Sequence, residues 1–266
     1  MLRAYLRKIR RRVQRALGRD VVRYRGVDLP PSSMRYCGAQ FRDDATFLSS
    51  SRSEARRLLD GFGLAPDSRV LEIGCGPGRL PIGIVAELGE IARYDGVDID
   101  PQSVDWCRRH ITRRHPSFRF HLIDARHERY NPDGTPMGDG FALPFADDSF
   151  DIVYLHSVFA NMEPNDVAVY CREFARVLTP QGQVFLTAFI EDDVPPVTLN
   201  PEDYLVRSSG ALNVARYERS YFFDIVAGAG LQVARFAHGA DLGGQSIVHL
   251  SRAQAATPQL DRVAAG

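Results

Sequence analysis

The stretch Val70-Leu71-Glu72-Ile73-Gly74-Cys75-Gly76-Pro77-Gly78-Arg79-Leu80 constrains this chain more than any other. A short apolar run ends in an acid and three alternating glycines, and beyond them Leu80, Ile84, Val85 and Leu88 recur at helical spacing. A strand that becomes a helix through such a loop lets backbone approach a ligand closely, because glycine lacks a Cβ and tolerates φ > 0. Spacing then separates one kind of glycine loop from another. The dinucleotide fingerprint needs a third glycine three places after the second, where this chain has Arg79. The phosphate-cradling loop needs Gly-Lys-Ser/Thr, which the chain lacks.

The elements that follow alternate. Tyr94 to Asp98 reads as a strand ending in acids, and Asp98 lies 24 residues after Gly74, close to the separation at which doubly wound folds set a carboxylate on a ribose. Asp100, followed by Pro101, reads as the N-cap of a helix through Trp106 and Ile111. Further apolar runs at Phe118 to Ile123, Phe150 to Leu155 and Val184 to Phe189 suit parallel strands covered on both faces. Ala227 to Leu231, Gln232 to Phe236 and Gln245 to Leu250 close the pattern as a helix and two strands. Such alternation argues for an α/β layered domain.

With Glu72-x-Gly74-x-Gly76-x-Gly78 at their head, these elements over about residues 66 to 250 resemble the class I S-adenosylmethionine-dependent methyltransferases. The resemblance implies a Rossmann-like seven-stranded sheet of order 3-2-1-4-5-7-6, its last strand antiparallel, flanked by helices. It implies S-adenosyl-L-methionine as methyl donor and S-adenosyl-L-homocysteine as product. In that frame Glu72 holds the methionyl ammonium, Gly74, Cys75, Gly76 and Gly78 form the close-approach loop, Asp98 and Ile99 meet the ribose, and Asp124-Ala125 reads the adenine. His156, directly after the fourth strand, either packs against the cofactor or takes a proton from the acceptor as general base. Two departures stand out: Gln181 displaces a usual glycine, and Asn161-Met162 stands where family members often carry a histidine-apolar pair. The second leaves no family base to carry over.

The expected activity is transfer of the donor methyl to an O, N or C nucleophile of a small-molecule, sugar or lipid-like acceptor by in-line displacement. Tyr36, Tyr130, Asn161 and His238 are the candidate acceptor contacts. Missing from the chain are the Asn/Asp-Pro-Pro-aromatic loop of nucleic-acid amino methyltransferases, the paired-glutamate hairpin of arginine methyltransferases and the Pro-Cys motif of base C5 enzymes. No metal is expected: neither the histidines nor the acidic turn Glu191-Asp192-Asp193 has a persuasive ligand spacing. The insertion Arg126 to Phe141 is a candidate lid or a solvated loop, and the aromatic-rich stretch Pro30 to Phe47 a cover over the cofactor whose aromatics line an acceptor pocket or, as the plainer reading, simply pack. Two other readings stay open: an RNA methyltransferase recruited by its N-terminus, and a cofactor-binding protein without turnover.

Charge divides the chain. Residues 1–25 hold ten basic residues and one acid, leaving 23 basic against 32 acidic in the remainder. Leu2, Leu6, Ile9, Val13 and Leu17 share one helical face with arginines around them, a basic amphipathic helix that could lie on an anionic membrane, bind nucleic acid or dock on the acidic body. The expected division is 1–27 basic extension, 28–65 cap, 66–251 catalytic domain and 252–266 flexible tail. Cysteines 37, 75, 107 and 171 form no metal or disulfide framework, and nothing resembles a secretory or membrane segment. A cytoplasmic protein follows, with the arm as an optional contact to the inner membrane face and nucleic acid as the weaker partner.

Overall fold

The computed structural model describes residues 20–253 except 36, 37, 129, 139, 203 and 206–210. The basic helix, Tyr36, Cys37 and the expected tail beyond residue 253 therefore lie outside the described residues.

The chain enters through a hairpin of β1 (Val22–Tyr24) and β2 (Val27–Leu29). Arg25 and Gly26 both take positive φ, 47° and 82°, as a two-residue turn matched to strand twist requires. The hairpin straddles the 27/28 division expected from charge. Its base is fixed to the body, because Trp106 Nε1 donates to the Asp20 carbonyl at 2.7 Å and Asp28 pairs with Arg114.

Next comes α1 (Asp44–Phe62), a helix the sequence reading left unassigned. Asp43 caps it by accepting from Thr46 N–H at 2.8 Å, and Gly63 ends it at φ 66°. Its inner face buries Phe47, Leu48, Ala55, Leu58 and Phe62, but also Ser51 and Glu54.

The sheet then forms from β3 (Arg69–Ile73), β4 (Arg93–Asp98), β5 (Phe118–Leu122), β6 (Phe150–Leu155), β7 (Leu178–Glu191), β10 (Leu231–Ala237) and β11 (Ser246–Arg252). Across it the order is β10-β11-β7-β6-β3-β4-β5. Counting these seven in chain order, that is 3-2-1-4-5-7-6, as expected, and β11 runs antiparallel to both neighbours. Helices α2 (Arg79–Glu87), α3 (Pro101–Cys107), α4 (Pro164–Val177) and α5 (Arg219–Gly228) complete the crossovers.

Strand period 2 decides which residue meets which layer. Leu71, Ile73, Val153 and Leu155 face a core with Phe174 and Phe222 of α4 and α5. Val70, Ile152 and Tyr154 face the opposite core with Phe47, Leu58, Leu80 and Trp106 of α1 to α3. On that side α1 and α2 touch backbone to backbone: a Cβ on Gly83 would stand 1.8 Å from the Ser51 carbonyl oxygen.

One addition to the sheet has no counterpart in the sequence reading. Between β7 and α5 the chain forms β8 (Val197–Leu199) and β9 (Ala215–Glu218), and β9 pairs parallel with the last residues of β7, Phe189 opposite Arg216.

Candidate functional site

A cleft of about 430 Å³ opens at the carboxyl ends of β3, β4, β6 and β7, where ligands sit in open α/β sheets. Its floor is the glycine loop. Gly74 and Gly76 take φ of 70° and 50°, and Gly74 and Cys75 both donate their N–H to the Val97 carbonyl, at 2.8 and 3.0 Å. No atom lies within 4 Å of where a Gly76 Cβ would be, so the turn presents bare backbone to open space. Gly78 serves elsewhere: it caps α2, and a Cβ there would meet Ile111 at 2.6 Å.

Asp98 holds this loop. One carboxylate oxygen accepts from Gly76 N–H at 2.7 Å and the other from Asp100 N–H at 2.7 Å. Burial outweighs these hydrogen bonds and pushes the Asp98 carboxyl up to about 6. Asp100 accepts from Gln102 and Ser103 N–H as the cap of α3, the role its sequence context suggested, and also borders the cleft. Ile99 and Ile123 line the same rim.

Several expected contacts are not brought to the cleft lining. Glu72 shares the face of β3 that carries Val70, so it points into the α1–α3 layer, where its carboxylate accepts from Tyr94 OH. Burial pushes it up to about 8. Cys75 is buried, and burial raises its thiol well above the ordinary range. Asp124 turns to the neighbouring loop and accepts from Thr135 Oγ1 at 2.8 Å, while the Ala125 carbonyl takes Asn131 Nδ2 at 3.0 Å. His238 pairs with Glu191 at 2.7 Å, away from the cleft. Tyr130 and Asn161 do line it.

His156 lines the cleft with both ring nitrogens engaged. Nδ1 lies 3.2 Å from Arg79 Nη2 and Nε2 lies 2.8 Å from Asp241 Oδ2. Guanidinium only donates, so Nδ1 accepts and Nε2 carries the hydrogen given to Asp241. No ring lone pair remains for an acceptor proton in this arrangement, and the expected base is instead held in a network. Arg79 also donates to Ser50 Oγ and Glu54 Oε1, Tyr154 OH donates to Glu54, and Arg57 bridges Glu54 and Asp241. Burial raises Asp241, but the hydrogen bond from His156 and the charge of Arg57 outweigh it and hold that carboxyl below its usual range. Glu54 and Asp241 thus tie α1 and the loop before β11 to the cleft.

Beyond the loop the cleft turns apolar. Ala160, Phe189 and Val214 form a small buried cluster, with Tyr204 edge-on to Phe189 at 5.3 Å between centroids. Val214 arrives on the segment leading into β9, which is why this wall was invisible in a reading that saw no strand there.

Among known proteins, residues 71–186 match the family described as Methyltransferase domain. Nocamycin O-methyltransferase of Saccharothrix syringae is 31% identical over 59% of this chain and 49% of its own length. The chain spans about half the length of the first curated relatives it matches. Of solved structures, 1,6-didemethyltoxoflavin-N1-methyltransferase of Burkholderia thailandensis superposes with a TM-score of 0.52 at 17% identity, covering 80% of this chain and 82% of that one. The [4+2]-cyclase SpnF superposes at 0.56 and 13% identity, covering 76% and 81%. At such identity these two likenesses speak for the fold.

Proposed function

We propose that residues 71–186, which match a methyltransferase domain, work in the class I, S-adenosylmethionine-dependent manner, and that the protein methylates an O, N or C nucleophile of a small-molecule, sugar or lipid-like acceptor. The observation that carries the reading is the bare Gly74–Gly76 turn held by the half-buried carboxylate of Asp98, facing an open cleft. Those residues fit a cationic adenosyl ligand. Backbone without Cβ admits it closely, and the half-buried Asp98 and the buried Glu72 carry no paired cation among their hydrogen-bond partners.

When bound, the cofactor would supply an electrophilic sulfonium methyl to the acceptor lone pair, the carbon–sulfur electrons passing to sulfur and any acceptor proton to solvent. The chain binds, orients and excludes water. Asp98 and Ile99 take the ribose and Ile123 covers the base, while Glu72, buried behind the loop, gains its negative charge only as pH climbs toward 8. His156, fixed between Arg79 and Asp241, is a positioning residue that shapes the cleft wall.

Residues 28–65 act as the cap over this domain through α1, and residues 1–25 supply a contact to anionic membrane. Among the described residues no helix is long and apolar enough to cross a membrane. Deleting residues 1–19 should abolish sedimentation with anionic vesicles; unchanged sedimentation would remove the membrane contact from the proposal.

The deciding experiment titrates the protein with S-adenosylmethionine and S-adenosylhomocysteine by calorimetry, then offers labelled methyl donor to lipid, small-molecule and RNA extracts. Micromolar binding with label in a lipid or small-molecule fraction is expected. Absence of binding would overturn the activity, and label confined to RNA would overturn the acceptor class.

A further inference from the structure

The half of the cleft beyond the glycine loop has a distinct chemical character. Among the described residues lining the cleft none is Arg or Lys. A phosphate or carboxylate would find no countercharge there. The far wall is the buried trio Ala160, Phe189 and Val214, with Met162 beside it. Such a wall takes a flat or compact apolar body.

One polar side chain in this lining is incompletely satisfied. Gln245 is only 6% exposed; its Nε2 donates to Ser157 Oγ at 2.8 Å, and its Oε1 has no hydrogen-bond partner. A buried acceptor left unmet is uncommon in a folded protein and points to a missing donor. Its support is rigid. Ser157 holds φ at 60°, its N–H donates to Thr187 Oγ1 at 2.8 Å, and its carbonyl accepts from Asn161 Nδ2 at 3.3 Å. A non-glycine residue keeps that backbone only where its surroundings over-determine it. The pair also stands at the junction of the two halves: Val158 lies against Gly74, while Ala160 belongs to the apolar wall.

Resting on the methyl-transfer reading above, we infer that the acceptor is an uncharged, largely apolar molecule carrying an O–H or N–H that donates to Gln245 Oε1, and that Gln245 is the residue selecting it. Orientation follows from the two contacts together: the apolar body lies on Phe189 and Val214, and the donor edge turns toward the Ser157–Gln245 pair.

The test uses the full-length protein loaded with S-adenosylhomocysteine and three probes of one shape: 2-naphthol, 2-methylnaphthalene and 2-naphthoate, titrated by ligand-observed NMR. The naphthol should bind at least about tenfold more tightly than its methyl analogue, and the naphthoate weakest of the three. Gln245→Leu should erase the naphthol preference while homocysteine-product affinity stays within about twofold. Equal binding of naphthol and methylnaphthalene, tightest binding by the naphthoate, or no saturable binding of any probe would each overturn the inference, and none needs the variant to fold. Failure to bind S-adenosylhomocysteine at all would instead strike the methyl-transfer reading.

Discussion

His156 Nε2 donates to Asp241 Oδ2 at 2.8 Å, joining the end of β6 to the loop before β11 across 85 residues of sequence. Asp241 also receives Arg57 of α1 at 3.2 Å, so one buried carboxylate locks three segments together. Asp241→Asn should cost about 1–3 kcal/mol, because it leaves Arg57 and His156 facing a neutral amide. Thermal unfolding should show a midpoint several degrees lower, with kcat for methyl transfer changed only modestly. A large fall in kcat at unchanged stability would return His156 to the role of base.

Asp98 spans two backbone donors, Gly76 and Asp100, 2.7 Å from each. Asn can accept at only one of its two side-chain positions, so Asp98→Asn frees either the loop or the turn that follows β4. Loss of a charged hydrogen bond of about 1.5–3 kcal/mol would weaken S-adenosylmethionine binding by roughly ten- to 150-fold. Isothermal titration decides the matter, and unchanged affinity would remove Asp98 from the cofactor site.

Burial pushes Glu72 up to about 8 and Asp98 up to about 6. A cationic ligand binds the ionised carboxylates better, so affinity for S-adenosylmethionine should climb as pH rises through 6 and toward 8. S-adenosylhomocysteine, lacking the sulfonium charge, should show the shallower slope. Calorimetry in buffers of different ionisation enthalpy should register proton release for the first ligand; parallel, flat profiles for both would refute the linkage.

The same shift bears on stability without ligand. The ordinary Glu value is 4.5, so the raised Glu72 contributes stability that is complete below that pH and lost as pH rises through about 8. Glu72→Gln keeps an acceptor for Tyr94 and cannot ionise. Its midpoint should therefore gain on the wild type as pH climbs from about 5 to about 9. A constant difference across that range would contradict the account.

At Gly83 the two cap-side helices leave no room for a methyl group, the Ser51 carbonyl oxygen standing 1.8 Å from the would-be Cβ. Gly83→Ala should destabilise by about 1–3 kcal/mol through separation of α1 from α2. Gly61→Ala on the same helix α1 meets nothing within 4 Å and should stabilise by about 0.5–1 kcal/mol. Denaturant unfolding of the two variants side by side separates the effects by sign.

The strands of the layered domain could be read from the residues as apolar runs, β4 with the polar terminus Asp98, whereas their order 3-2-1-4-5-7-6 follows only from the family resemblance. Helix α1 could not be read, since Ser51 and Glu54 interrupt its apolar stripe, although Asp43-Asp44-Ala45-Thr46 and Gly63 were legible caps. Within the site, Gly74, Gly76, Asp98, Ile99, Tyr130, His156 and Asn161 converge on the cleft. Glu72 does not, because strand alternation turns it to the other face, and Asp124 is claimed by Thr135 and Asn131 of the inserted loop. The Gln245–Ser157 and His156–Asp241 pairs join residues 88 and 85 apart, and no local pattern encodes such distant partners.

The wall that carries Val214 runs directly into β9, a strand bonded in register to β7, so it is anchored to the stiffness of the sheet. A pocket framed this way has little capacity to reshape itself around a new compound. Its chemical repertoire would drift by exchanging side chains at positions such as Phe189 and Val214, one residue at a time, while the backbone beneath them stays put. A family of such proteins would then differ in appetite far more than in outline.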